Sequence, residues 1–89
     1  MVRMFVRHQV GDYATWRNGY DDFDEKRSTM GVSEHAVYRS VDDGNDVTAY
    51  HDFDSIDAAR SFAGSDDLRE AMQHAGVVGA PQIWFVEEA

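Results

Sequence analysis

Hydrophobic and polar residues alternate at the start of the chain. Val2, Met4, Val6 and His8 take one parity, and Arg3, Phe5, Arg7 and Gln9 take the other. A period of two predicts a strand at residues 2–10 whose two faces differ. Gly11 and Asp12 break it, and Asp12 can cap a following helix by accepting from its first free N–H groups. The period then changes. Tyr13, Trp16, Tyr20, Phe23, Arg27 and Met30 recur every third or fourth residue. That spacing puts them on one face of a single helix of about 18 residues, which Gly31 ends.

Ser33 to Val41 reads as a second strand and Val47 to Phe53 as a third. Between them, Asp42-Asp43-Gly44-Asn45-Asp46 is a turn cluster, so the two strands form a hairpin. Ser55 caps a short helix carrying Ile56, Ala59, Phe62 and Ala63. Ser65 caps another, with Leu68, Met72 and Ala75 as its apolar side and Gly76 as its end. Gly79-Ala80-Pro81 reads as a loop and Gln82 to Val86 as a last strand. The order is βαββαβ, an α+β class arrangement of the ferredoxin-like type. It predicts a four-stranded antiparallel sheet with helices on one face.

Bulky groups fall on both parities of the strands: Phe5, Trp84 and Val86 on one, Val6, Ile83 and Phe85 on the other. The helices can cover only one face. A chain of 89 residues buries roughly 64% of its unfolded surface, enough for a single domain over residues 1–89 and no more. A homodimer that packs sheet against sheet would cover the second face. The competing arrangement is a monomer whose open face is dressed by Arg3, Arg7 and Arg39.

Composition narrows the chemistry. With no cysteine, thiolate metal sites, disulfides and cysteine nucleophiles are excluded. Eight basic residues against seventeen acidic ones give a net charge of −9, and Lys26 is the only lysine. Nucleic acid and anionic membranes are therefore not expected as partners. No apolar run is long enough for a signal peptide or a membrane span, so a cytoplasmic location is expected. No P-loop, dinucleotide glycine fingerprint or serine elbow occurs.

Three segments carry a resemblance. V-R-M-F-V-R-H-x-V-x-D-Y-x-x-W-R at 2–17, V-Y-R-S-V-D-D-G-N-D-V-T at 37–48 and S-D-D-L-R-E-A-M-Q-H-A-G-V-V-G-A-P at 65–81 resemble small proteins of the dimeric α+β barrel superfamily. Stand-alone members labelled cyclases or uncharacterised are the nearest in pattern, and antibiotic-biosynthesis monooxygenases are similar at a greater distance. The resemblance implies the barrel fold, a homodimer and a pocket for a small apolar or aromatic molecule. It does not imply one reaction, because the superfamily hosts many. Haem-degrading members have a tryptophan and a haem-ligating histidine where this chain carries Phe53 and Met72, so no haem or other cofactor is expected.

The residues themselves offer candidates. Trp16, Tyr20 and Phe23 on the helical stripe either pack the core or wall a pocket, together with Phe53, Met72 and Trp84. Arg27 lies on the same stripe. Its guanidinium meets a carboxylate, binds an anionic group or reaches water past an apolar stem. His35 and His51 lie on the paired strands. If the turn spans 42–46, His51 faces Val37, His35 faces Phe53 and the two rings are diagonal neighbours on one face. A shift of one residue would place His51 opposite Tyr38 instead. His51 is then the candidate base, with His35 or Tyr38 as its orienter, for proton abstraction beside a carbonyl. Such chemistry suits a cofactor-independent cyclase or isomerase acting on an aromatic or polyketide-like compound. A non-catalytic binding dimer and a cofactor-free monooxygenase are the alternatives. His8 and His74 read as structural, and the four histidines lack the spacing of metal ligands.

Overall fold

The computed structural model describes residues 1–89. Its elements are β1 (Val2–Val10), α1 (Tyr13–Asp22), α2 (Asp24–Thr29), β2 (Glu34–Arg39), β3 (Asp46–Phe53), α3 (Ile56–Ala63), α4 (Asp66–His74) and β4 (Val77–Glu87). The strands form one antiparallel sheet in the order β2-β3-β1-β4, with the helices on one face.

Local signals set the helix starts. Asp12 accepts from the Thr15 N–H at 2.9 Å, Ser55 from Ala58 at 3.1 Å and Ser65 from Leu68 at 3.2 Å. Each satisfies one of the free donors of a first turn. The single long helix expected after Asp12 is broken at Phe23. The Tyr20 carbonyl there accepts the Phe23 N–H at 3.3 Å and the Arg27 Nη2 at 2.6 Å. A side chain inserted at a helical carbonyl is a standard cause of a kink. The stripe survives the break, because Tyr13, Trp16, Tyr20, Phe23 and Arg27 still point at the sheet side.

Strand β1 keeps the expected parity. Val2, Met4, Val6, His8 and Val10 are buried beneath the helices, with Val47, Ala49, His51 and Phe53 of β3 beside them. Phe62, Ala59 and Leu68 close the core from above. The hairpin register departs from expectation by two residues. Arg39 pairs with Val47 and His35 pairs directly with His51. Residues 40–45 form the connection: the Ser40 N–H donates to the Asp46 carbonyl at 2.9 Å and Arg39 Nε to the Gly44 carbonyl at 2.9 Å. Two residues is one full pleat, so the faces are unchanged.

Strand β4 begins at Val77, five residues before the expected Gln82. Gly79-Ala80-Pro81 is a bulge within it, between the pairs Arg7↔Gln82 and Gln9↔Val78, opposite His8. Gly79 has φ +75°, which glycine adopts without strain. The uncovered face carries Phe5, Tyr38, Tyr50 and Trp84. Phe5 stacks on Trp84 with ring centroids 5.4 Å apart, and Tyr38 on Tyr50 at 6.4 Å. Its arginines are tied within the chain: Arg3 to Asp52 at 2.8 and 3.0 Å, Arg7 to Asp46 at 3.0 and 2.7 Å.

Candidate active site

A narrow cavity lies between the sheet and the helices α1, α2 and α4. Trp16, Tyr20, Phe23 and Arg27 wall it from the stripe, Met4, Val6, His8, Ala49 and His51 from the sheet, and Leu68 and Met72 from α4 with Ala75 at its C-terminal cap. The space open to centres of water-sized molecules is about 40 Å³. Above it, a groove between α1 and α4 runs from Thr15 and Asn18 to Asp22 and His74 and shares Gly19, Phe23, Ala71 and Ala75 with the cavity. Gly19 makes the close approach of α1 and α4 possible. A Cβ there would lie 2.8 Å from the Ala75 Cβ.

Few polar atoms reach this apolar space, and most lack partners. Both ring nitrogens of His8, both of His51 and the Arg27 Nε are buried without a hydrogen bond. Such groups are costly to leave unsatisfied. Burial, with Arg27 and His35 nearby, pushes His51 down to about 3. Burial also lowers His8. Around neutral pH, His51 is an uncharged imidazole with one N–H to give and one lone pair to receive.

Arg27 is 3% exposed. Its guanidinium lies 3.8 Å over the Tyr20 ring, donates to the Tyr20 carbonyl and comes within 3.6 Å of Asp24. Burial pulls its pKa down, against the pull of Tyr20 and Asp24. Asp24 is itself largely in water, so the buried cation is only partly offset. It gives the cavity a positive wall suited to an anionic oxygen.

His35 sits behind the cavity wall. Its Nδ1 is 2.6 Å from the Tyr20 hydroxyl and its Nε2 is 3.2 Å from Asp24 Oδ1. Its ring stacks on His51 with centroids 6.1 Å apart. The structure therefore brings together Trp16, Tyr20, Phe23, Arg27, His51 and Met72, with His35 one layer back. Phe53 lies deeper, packed on Phe62 at 5.4 Å, and does not line the cavity. Tyr38 and Trp84 lie on the other side of the sheet. Tyr38 is three residues from His35, and an odd separation in a strand means opposite faces. Trp84 pairs with Phe5, which has the outward parity of β1. His8 is the residue that sequence reasoning undervalued. Its parity with Val2, Met4 and Val6 already placed it under the helices. No three His, Cys, Asp or Glu side chains converge as a metal site would need.

No family model and no curated protein matches the chain. Solved structures do match. A putative antibiotic biosynthesis monooxygenase from Bordetella bronchiseptica superposes with a TM-score of 0.85 at 18% identity, covering 99% of this chain and 96% of that one. The N63A mutant of SnoaB, a cofactor-independent oxygenase from Streptomyces nogalater, gives 0.78 at 16% identity, covering 98% and 91%. Rv0793 from Mycobacterium tuberculosis gives 0.72 at 14%, covering 99% and 94%. The likeness is one of fold: these structures share the ferredoxin-like four-stranded antiparallel sheet with helices on one face. In this fold, the cavity lies inside the layer between helices and sheet, and the aromatic face lies outside it. No helix is long and apolar enough to cross a membrane.

Proposed function

We propose that the cavity binds a small planar molecule carrying an acidic C–H beside a carbonyl, and that the protein converts it without a cofactor. The observation that carries this reading is the set of unpartnered polar atoms, the Arg27 Nε donor and the ring nitrogens of His8 and His51, one donor and one acceptor on each neutral ring, in an otherwise apolar pocket. An enolate fits that set. Its ring system rests against Trp16 and Tyr20, and its oxygen accepts from Arg27 and from neutral His51. With its pKa near 3, His51 is a weak base and serves here as a donor.

Forming the carbanion is the step that a cyclase, an isomerase and a cofactor-free oxygenase share. The likeness to a cofactor-independent oxygenase favours dioxygen as the next reactant. A methylene between an aromatic ring and a carbonyl then becomes a carbonyl itself: two hydrogens leave, one oxygen atom of dioxygen stays on carbon and the other departs with them as water. The balance needs no external reductant.

The same reading includes a homodimer. Arg3 and Arg7 are neutralised by Asp52 and Asp46, which leaves Phe5, Tyr38, Tyr50 and Trp84 as an uncovered aromatic face for a second copy. A second reading, a binding module without chemistry, draws on His51, whose lowered pKa leaves the cavity without a strong base of its own. Oxygen uptake on adding 2-tetralone, a benzo-fused cyclic ketone whose acidic methylene lies between the aromatic ring and the carbonyl, tests the choice. Uptake that follows ketone consumed, with no added metal or cofactor, supports the enzyme. Saturable binding with neither uptake nor proton exchange supports the module.

A further inference from the structure

We propose that Tyr20, backed by His35 and Asp24, is a relay that takes a proton from the cavity's occupant and delivers it to the solvent side of the helical layer. The proposal rests on the carbanion-forming reading above and names the group that carries its first step.

Three placements support it. Tyr20 walls the cavity, and its hydroxyl is 2.6 Å from His35 Nδ1. Asp24 Oδ1 lies 3.2 Å from the other ring nitrogen and favours the proton on Nε2, which leaves Nδ1 as an acceptor for the Tyr20 hydroxyl. Beyond these residues, a cleft of about 180 Å³ lined by Asp24, Arg27, Ser28, Val32, Ser33 and His35 opens outward. One end of the chain of groups therefore meets the cavity wall and the other meets water. Burial raises the Tyr20 pKa, and the Arg27 guanidinium 3.8 Å over its ring opposes that rise, so the phenol stays protonated and passes its own proton on only as it receives another.

The step balances as a double proton transfer. The substrate C–H bond breaks, and its electron pair stays on carbon and spreads to the carbonyl oxygen. The proton bonds to Tyr20 Oη through the lone pair that the His35 contact leaves free. The phenol's own proton moves to His35 Nδ1. The resulting imidazolium sits beside Asp24 and returns a proton to water through the cleft. No oxidant enters this step, so it proceeds without dioxygen.

Deuterium exchange into 2-tetralone under argon therefore isolates it. Binding is measured in parallel by ligand-detected NMR on the full chain. The expected result is that the protein accelerates exchange at the benzylic methylene, and that Tyr20→Phe and His35→Gln lose about a hundredfold of the acceleration while still binding the ketone. Asp24→Asn should lose less. In its long-range 1H–15N imidazole spectrum, the Nδ1–H form of His35 should rise at the expense of Nε2–H, a signature that a merely packing role would not move. Exchange unchanged in Tyr20→Phe would overturn the relay and leave the carbanion-forming reading standing, whereas binding with no acceleration by the parent would overturn both and leave only a binding pocket. A chain that fails to bind the ketone removes both.

Discussion

His35 and His51 stand directly opposite each other across the β2–β3 ladder with stacked rings, yet they occupy different environments. His51 is dry, with neither nitrogen bonded, whereas His35 touches Tyr20 on one side and Asp24 on the other.

That difference predicts an acid sensitivity. An unfolded histidine takes its proton near 6.5, and folded His51 only near 3. Between those values the unfolded chain holds the extra proton. Stability is complete above the unfolded value and falls as the pH drops through the window, by at most about 1.4 kcal/mol per pH unit for this residue. His8, also lowered by burial, acts in the same direction. Urea midpoints at about pH 7 and about pH 4.5 check this. His51→Leu should lose less stability on acidification than the parent. At neutral pH it should equal or exceed the parent, because two unsatisfied nitrogens are gone.

Gly19 is expected to resist substitution despite its place in a helix. Alanine would gain about 1 kcal/mol of helix propensity. Its Cβ would lie 2.8 Å from that of Ala75 and force α1 away from α4, at a cost of roughly 1–3 kcal/mol. Gly19→Ala should therefore lower the melting temperature, and Ala75→Gly in the same chain should recover most of the loss. A single variant as stable as the parent would show that the two helices part freely.

Arg27 should govern which ligands enter. Arg27→Met removes the buried cation and the donor to the Tyr20 carbonyl. Affinity for an anionic aromatic such as 2-naphthoate should fall about 10–100-fold, in line with one charge-assisted hydrogen bond, while that for neutral naphthalene changes little. Isothermal titration of both ligands measures the difference. Equal losses for the two would place Arg27 in packing alone.

The outer aromatic face should hold a second copy. Trp84, 41% exposed and stacked on Phe5, sits where a charge would be least tolerated. Trp84→Asp should weaken self-association at least about tenfold, seen by sedimentation or native mass spectrometry, without unfolding the chain. A parent protein that sediments as a monomer at micromolar concentration would remove the dimer from the account.

What the sequence made legible was local. Strand β1, the three caps and the aromatic stripe follow from period and spacing, and the α+β order follows from them. The rest depended on contacts between distant segments. The hairpin register was fixed by Ser40 and Asp46 rather than by the Asp-Gly-Asn cluster alone, so the histidines became direct rather than diagonal partners. Gly79 and Pro81 signalled a loop, but β1 supplies a partner on either side of them and turns the loop into a bulge. The contact between Asp24 and His35 exists because the helix breaks at Phe23, and that break depends on Arg27 reaching the Tyr20 carbonyl. Tyr38 was a candidate through the one-residue shift that would have set it opposite His51, and the observed pairing with Thr48 puts it on the far side of the sheet, where Trp84 also lies.

The occupancy of the cavity is the central claim, and Trp16 can report it. The chain has two tryptophans, so Trp84→Phe leaves Trp16 on the cavity wall as the single reporter. Its fluorescence would be followed while 2-tetralone is added. Saturable quenching at one molecule per chain is expected, weakened by His51→Leu. Emission that stays unchanged up to millimolar ketone would contradict it.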